Sequence, residues 1–461
     1  MERKIDEIIK KWYFDSKKAI LIRGARQVGK TYSINNFIKN YCNKNYVHVD
    51  FSKKVNLIDD FAKIKSSEEL LLRLSALFGN KLVNGKTLIF LDEIQLIYIR
   101  RDELIKQKAI SSLSQDIISA MKEIVEEGKY RFILSGSLLG VTLTNIILNP
   151  MGYMDIYDMY PLDFEEYLWA KDVAKETINY LRNCFEKKEK VDEMVNNLFL
   201  DYFREYSIIG GMPEIVNSFI ENRNLYQVNS KQNQIINYYK QDLIKYIFDI
   251  EKRMRIESIY KSIASEINAK NKKFVSSHVI DRNYLAHNNI IDEYLWLVSS
   301  GIAIPIYNVD EPISPLALSV NHKTLKLFVN DIGLLNAMLL STGIREKLLN
   351  NEKVINFGAP YENAVAQELN AHGFNQNLYY YSNKKQGEID FLIEYNANCL
   401  PIEVKSGKPN MHNMYNRAAL NNVIDLYSYS EAMVLGNCNV SKENDTITNY
   451  PIYMIMFINK N

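Results

Sequence analysis

The chain has 461 residues, 47% of them hydrophobic and 24% charged, which is the balance of globular proteins and excludes a disordered or fibrous chain. A length of this size asks for roughly two to four domains, each with its own core. Lysine and arginine number 56 against 55 acidic residues, so no global basic field holds nucleic acid and any such contact has to be local.

Helical spacing of Ile5, Ile8, Ile9 and Trp12 opens the chain, and Ala19-Ile20-Leu21-Ile22 follows as a short apolar run ending in glycine. The pattern predicts a helix and then a buried strand. Gly24-Ala25-Arg26-Gln27-Val28-Gly29-Lys30-Thr31 comes next and satisfies G-x-x-x-x-G-K-[ST] between that strand and a second helix. Glycines let the backbone curl so that its N–H groups face phosphate oxygens, and the helix N-terminus adds partial positive charge. Lys30 is then expected on the β and γ phosphates of ATP, and the Thr31 hydroxyl on Mg²⁺. A glycine turn with a chance lysine is the bland alternative.

Further apolar runs at Tyr46 to Val49, Thr87 to Leu91 and Tyr130 to Leu134 alternate with helical patterns at Ser67 to Phe78 and Asp102 to Glu126. Strand and helix in alternation predict an α/β fold with a parallel sheet. Leu88 to Leu91 run into Asp92-Glu93 at the strand's C-terminal edge, where ligands of open α/β sheets bind. Asp92 is expected to hold the metal and Glu93 to activate water; a solvated strand cap is the alternative. Ser135, at the end of the next strand, would sense the γ-phosphate if that strand lies between the other two. A helix N-cap by Ser135 or Ser137 explains the same residues.

The uncharged stretch Phe132 to Met154 is broken by Ser135, Ser137, Thr142, Asn145, Asn149 and Pro150, and reads as strand, turn and helix. Tyr294 to Val309 is too short to span and holds Gly301 and Pro305. No membrane partner is expected. Four scattered cysteines (Cys42, Cys184, Cys399, Cys438) and the lack of a secretory leader before Lys4 fit a reducing cytoplasm. The six histidines show no ligand pairing and read as ordinary surface or core residues.

From about Glu165 to Glu251 the pattern is helical, interrupted at Gly210-Gly211-Met212-Pro213. Ser258 to Val309 reads as three short helices followed by Ala303-Ile304 and Ile306-Tyr307, a pattern resembling a winged helix. There Lys272, Lys273, Arg282, Asn288 and Asn289 would meet phosphates or base edges, with packing or dimerisation as the alternative. Beyond Pro312 come a helix near Tyr361 to Leu369 and two strands, Gly387 to Ile393 and Leu400 to Val404, joined through Asn396-Ala397-Asn398. Glu362 shares a helical stripe with Val365, Ala366 and Leu369, which turns an acid inward, where burial without a partner is costly, so the placement invites a metal with Glu362 as a ligand.

Taken together, Gly24 to Thr31, Leu91-Asp92-Glu93-Ile94-Gln95, Ile133-Leu134-Ser135-Gly136-Ser137, Tyr160-Pro161-Leu162-Asp163-Phe164-Glu165-Glu166 and Gly210 to Pro213 resemble a large prokaryotic family of AAA+ ATPases. In that family the ATPase is fused to a C-terminal domain of unknown function. The resemblance implies a P-loop NTPase core of AAA+ type over 1–170, a helical lid over 171–250, a winged-helix-like segment over 251–312 and a further domain over 313–461. It also implies that Pro213 and Met212 sense ATP, although a helix-breaking loop accounts for them equally. Family members carry Gly-Arg where this chain has Gly152-Tyr153, so no arginine finger carries over, and Arg100, Arg101 and Arg131 read as solvated surface residues.

Glu362, Asp390, Glu403 and Lys405 resemble the PD-(D/E)xK restriction-endonuclease-like fold. That likeness implies Asp390 and Glu403 with the Val404 carbonyl as Mg²⁺ ligands, and Lys405 holding a water or the developing charge. A solvated Glu-Lys pair on a fold kept for binding is the alternative. ATP hydrolysis coupled to DNA is the leading expectation, DNA entering by family analogy. A regulatory NTPase switch that binds a protein partner, its nuclease-like domain idle, is the other. Assembly into a homo-oligomer is left open.

Overall fold

The computed structural model describes residues 1–42, 44–111, 114–137, 152–247, 249–267, 291–352, 358–375, 377–406 and 418–460. The five candidate nucleic-acid contacts Lys272, Lys273, Arg282, Asn288 and Asn289 lie outside them.

Helix α1 (Lys4–Asp15) leads into strand β1 (Ala19–Gly24) and helix α2 (Lys30–Tyr41). With β2 (Tyr46–Asp50), β3 (Leu88–Asp92), β4 (Arg131–Ser137) and β5 (Met154–Asp158), β1 forms a wholly parallel sheet of order β2-β3-β4-β1-β5. Alternate residues face opposite layers, as strand geometry demands. Ile20, Ile22, Phe90 and Ile133 join Ile9, Trp12, Ile34 and Phe37 of α1 and α2. Leu21, Ile89, Leu91 and Leu134 join the opposite layer with Phe61, Leu70 and Met121. Those last three lie on α3 (Val55–Ala62), α4 (Ser67–Phe78) and α6 (Ile117–Glu126).

The structure departs from the sequence reading at two places here. The helix expected over Asp102 to Glu126 is two helices, α5 (Gln95–Lys106) and α6. Lys108 adopts a left-handed backbone with φ 57°, and the Asp116 side chain accepts the Ser119 N–H at 2.7 Å to start a new helix. Strand β5, unforeseen, adds an edge beyond β1.

Helices α7 (Phe164–Ala170), α8 (Lys175–Lys187), α9 (Glu193–Ile209), α10 (Pro213–Asn222) and α11 (Leu225–Tyr246) form the helical region. Its central turn is fastened from two sides. Gly211 lies so close to the Tyr160 to Glu166 segment that a Cβ there would sit 2.1 Å from the Leu162 carbonyl oxygen, so only glycine fits. Its N–H donates to Asp331 Oδ2 at 2.6 Å.

After α12 (Ile250–Ile267) and α13 (Ile291–Ser299), the two apolar pairs expected to close a winged helix form one strand, β6 (Ala303–Val309). It pairs antiparallel with β7 (Val320–Val329) inside a sheet that has eight strands among the described residues, so the domain boundary expected at 312/313 cuts a hairpin. Pro305 is tolerated because pairing of β6 with its other neighbour, β8 (Tyr379–Asn383), begins only at Tyr307. Beyond α14 (Ile332–Leu339), α15 (Thr342–Leu349) and α16 (Gly358–Leu369), β9 (Gly387–Tyr395) and β10 (Asn398–Lys405) form the expected hairpin. Asn396 and Ala397 both take positive φ, the geometry of a tight two-residue turn. Helix α17 (Ala418–Tyr427) and strands β11 (Ala432–Gly436), β12 (Ser441–Lys442) and β13 (Ile447–Pro451) complete the sheet.

A buried polar cluster joins the two α/β units. His372 Nε2 lies 3.3 Å from Asp163 Oδ2, while Glu368 accepts the Phe164 N–H and the Tyr206 hydroxyl, each at 2.9 Å. Lys4 closes the cluster by donating to Asp163 at 2.7 Å. Burial pushes the Glu368 carboxyl up to about 7, and Asp163 adds to the rise. Burial pulls His372 down, but Asp163 and Glu368 outweigh it and its pKa is raised. Both groups therefore contribute stability at low pH that is lost as pH climbs through their folded values. Asp163 has the opposite sense: burial raises it, but Lys4 and His372 hold it far below the carboxylate range, and its contribution disappears only in acid. The thermal unfolding midpoint is thus expected to fall between about pH 4.5 and about pH 7, the span between the ordinary and the folded value of Glu368, and Glu368→Gln to flatten that slope. A slope identical in wild type and variant would show that Glu368 does not titrate in this window.

Candidate active site

Strand β1 delivers the loop 24–31 at its C-terminal end. A Cβ on Gly24 would meet the Met159 carbonyl oxygen at 2.1 Å, and Gly29 takes φ 99°, so both glycines are required by the path of the backbone. Gln27 also has positive φ, at 69°. Ala25 and Val28 are buried beneath the loop, and Arg26 reaches outward. The Lys30 ammonium is 5% exposed and donates to the Gly24 and Ala25 carbonyls at 3.0 and 2.8 Å. Burial pulls its pKa down, while Glu93 and Asp92 act to keep it charged.

Strand β4 lies between β3 and β1, which brings Ser135 beside Asp92. The Ser135 hydroxyl donates to Asp92 Oδ1, and the Thr31 hydroxyl reaches the same oxygen at 3.2 Å. Ser135 Oγ also accepts the Glu93 N–H at 3.4 Å. Glu93 adopts φ 60°, unusual for a non-glycine residue, which turns the chain from β3 toward α5. Its carboxylate accepts from the Gln95 side-chain amide, whose Oε1 in turn accepts the Ser137 N–H at 3.1 Å. Gln95 thereby orients the acid, a role its place in the Asp-Glu-Ile-Gln run does not announce.

Lys30, Thr31, Glu93 and Ser137 line a cavity of about 360 Å³ whose other wall is Asp242, Lys245 and Tyr246 from α11. A second cavity, of about 290 Å³, shares Gln27, Gly29 and Tyr32 with the first and is closed by Met1, Arg3, Pro213 and Asn217. Pro213 therefore stands beside the loop, its Cγ 3.5 Å from where a Cβ on Gly29 would be. Arg3 was not foreseen. It is buried, donates to the Val28 and Tyr160 carbonyls at 2.9 and 2.8 Å, and pairs with Glu166 at 3.1 Å.

None of the three arginines considered for a trans role lines the first cavity. Arg100 pairs with Asp59 and Glu103, and Arg131 packs on the Tyr13 ring. Arg101, expected in solvent, is buried and binds the Ala62 and Ser114 carbonyls, a structural part of its layer.

Glu362, Asp390 and Glu403 are all buried, but among the described residues no three acidic, histidine or cysteine side chains gather to hold a metal. Asp390 turns an oxygen back onto β10 to accept the Val404 N–H at 2.9 Å, and Glu403 is drawn to Lys405 at 2.5 Å.

Around Thr31 and Asp92 the donors are a hydroxyl and a carboxylate, hard oxygen ligands of the kind Mg²⁺ takes. A glycine loop between a buried parallel strand and a helix, with an acid pair on the neighbouring strand, defines a P-loop NTPase. Residues 16–168 match an AAA domain, and the chain carries an AAA-type P-loop ATPase domain. Residues 200–347 and 357–453 match two domains of unknown function, DUF8612 and DUF4143. No curated protein matches the chain. Among solved structures it is similar to the Walker-type ATPase paby2304 of Pyrococcus abyssi, at 13% identity and TM-score 0.39 over 74% of this chain and 96% of that one. It is also similar to C. elegans PCH-2, at 12% identity and TM-score 0.26 over 48% and 58% of the two chains. A third is Drosophila ORC bound to DNA, at 13% and 0.23 over 70% and 90%. Among the described residues no helix is long and apolar enough to cross a membrane.

Proposed function

We propose that the chain binds ATP with Mg²⁺ in the cavity over Gly24 to Thr31 and hydrolyses it. The observation that supports this most is the meeting of Lys30, Thr31, Asp92, Glu93 and Ser135 at the carboxyl edge of one parallel sheet. In this reading Lys30 leaves its two carbonyls for the β and γ phosphates, and the loop amides take the remaining oxygens. Thr31 and Asp92 hold the Mg²⁺, which supplies neutralising charge when bound. Glu93, aligned by Gln95, accepts the proton of the attacking water, and Ser135 reports on the terminal phosphate through Asp92 and the Glu93 amide. The second cavity takes the base, with Pro213 sensing its presence.

For the C-terminal unit we propose a nuclease-like fold whose partner is DNA. One observation favours the other reading, a switch for a protein partner: Lys405 is paired with Glu403. A single experiment addresses both levels. Purified full chain is expected to bind a fluorescent ATP with Mg²⁺ and to release it when EDTA removes the metal. Affinity indifferent to the metal would sink the site reading, whereas ATP turnover unmoved by duplex or single-stranded DNA would favour the protein partner.

A further inference from the structure

One wall of the nucleotide cavity comes from the helical region and carries a buried acid, Asp242, beside Lys245 and Tyr246. Asp242 sits near the end of α11, is 2% exposed, and lines the cavity together with Lys30, Thr31 and Glu93. Its Oδ1 accepts from Arg26 Nη1 at 2.7 Å. Its Oδ2 is buried and meets no hydrogen-bond donor. Arg26 is gripped further by α11, its guanidinium 5.3 Å from the Tyr238 ring centre and its carbonyl accepting the Tyr239 hydroxyl at 3.5 Å. The third residue of the phosphate loop is therefore fastened to α11 at three points.

A buried carboxylate with one unsatisfied oxygen is poorly placed, and a polyphosphate brought beside it adds like-charge repulsion. Burial already pushes the Asp242 carboxyl up and Glu93 adds to this, against Arg26 and Lys245. The guanidinium fork accepts phosphate in the same geometry as carboxylate. We infer that Asp242 and the phosphates of ATP compete for Arg26, so that nucleotide binding releases the end of α11. The inference rests on the nucleotide reading given above. Asp242 is then an electrostatic latch, and a triphosphate, with one more charge than a diphosphate, opens it further.

Release has a route onward. Gln232 of α11 accepts from Arg345 at 2.6 Å, Asn229 accepts from the same guanidinium, and the Tyr239 hydroxyl accepts from Asn330 at 3.4 Å. Freeing the last turns of α11, where Tyr239 lies, thus loosens the contact with Asn330 in the segment after β7, which belongs to the second α/β unit, while the Arg345 contacts sit earlier on the same helix.

The test uses the full chain, with MgATP and MgADP titrated by calorimetry into wild type and Asp242→Asn, which keeps the shape and removes the charge. MgATP is expected to bind the variant on the order of tenfold more tightly, and MgADP to gain less. Equal or weaker MgATP binding by the variant, beside normal binding by wild type, overturns the latch and leaves the site standing. No binding by wild type overturns both. Hydrogen exchange on wild type alone gives a second reading that needs no variant. Amides at the end of α11 are expected to exchange faster with MgATP, and unchanged or slower exchange overturns the proposal.

Discussion

Lys30→Ala is expected to abolish Mg²⁺-dependent ATP binding, with a loss on the order of a hundredfold or more. The ammonium is buried at the mouth of the loop and donates to two loop carbonyls, Gly24 and Ala25. Phosphate oxygens replacing those carbonyls would gain charge-assisted hydrogen bonds, each worth about 1.5–3 kcal/mol, and two of them account for a loss of that size. Alanine removes both bonds and leaves two carbonyl oxygens facing the phosphate, so repulsion adds to the lost attraction. Lys245 lines the same cavity, but it hangs from α11 rather than from the loop and does not take over the place of Lys30. Calorimetric titration checks the loss, and a thermal melt of the variant separates it from unfolding. Binding within about threefold of wild type, in a variant that melts normally, would remove the ammonium from the phosphate site.

Those residues were legible because their chemistry is local. A glycine loop needs a strand before it and a helix after it, and all three are written within Ala19 to Tyr41. Asp92 and Glu93 follow their strand directly, and the order β3-β4-β1 that brings Ser135 to Asp92 is the one on which the Ser135 reading depended. What the sequence hid comes from far along the chain. Arg3 looks like an exposed charge before an amphipathic helix, yet it grips Val28 and Tyr160. Asp242 lies on a helix rich in polar residues, and no periodicity tells that its face meets a loop more than two hundred residues earlier. His372 gave no ligand spacing and read as ordinary, but it forms part of the buried cluster between the two units. In β6 the apolar pattern was visible, whereas its partner was not: periodicity fixes which faces are buried, and pairing is decided by tertiary packing. Asp390 and Glu403 of the C-terminal unit stand on the two hairpin strands read from the sequence, where Asp390 accepts the Val404 N–H and Glu403 pairs with Lys405.

Glu93→Gln separates binding from turnover more sharply than any other change at this site. Glutamine keeps the side chain's length and can still bond Gln95, and the Ser135 hydroxyl still receives the residue 93 N–H. The backbone at φ 60° is no harder for glutamine than for glutamate, so the turn out of β3 survives. Only the proton acceptor is lost. General-base assistance is worth about 10²–10⁴-fold, so ATP turnover is expected to fall by that factor while MgATP affinity holds or tightens, one negative charge having left the phosphate cavity. Single-turnover phosphate release, read beside a binding titration on the same protein, gives both quantities. If the variant hydrolysed ATP as fast as wild type, the water would be activated elsewhere. Asp92 is already committed in this reading to the metal, with one oxygen also receiving the Thr31 and Ser135 hydroxyls. The base would then have to come from outside the pair at the end of β3.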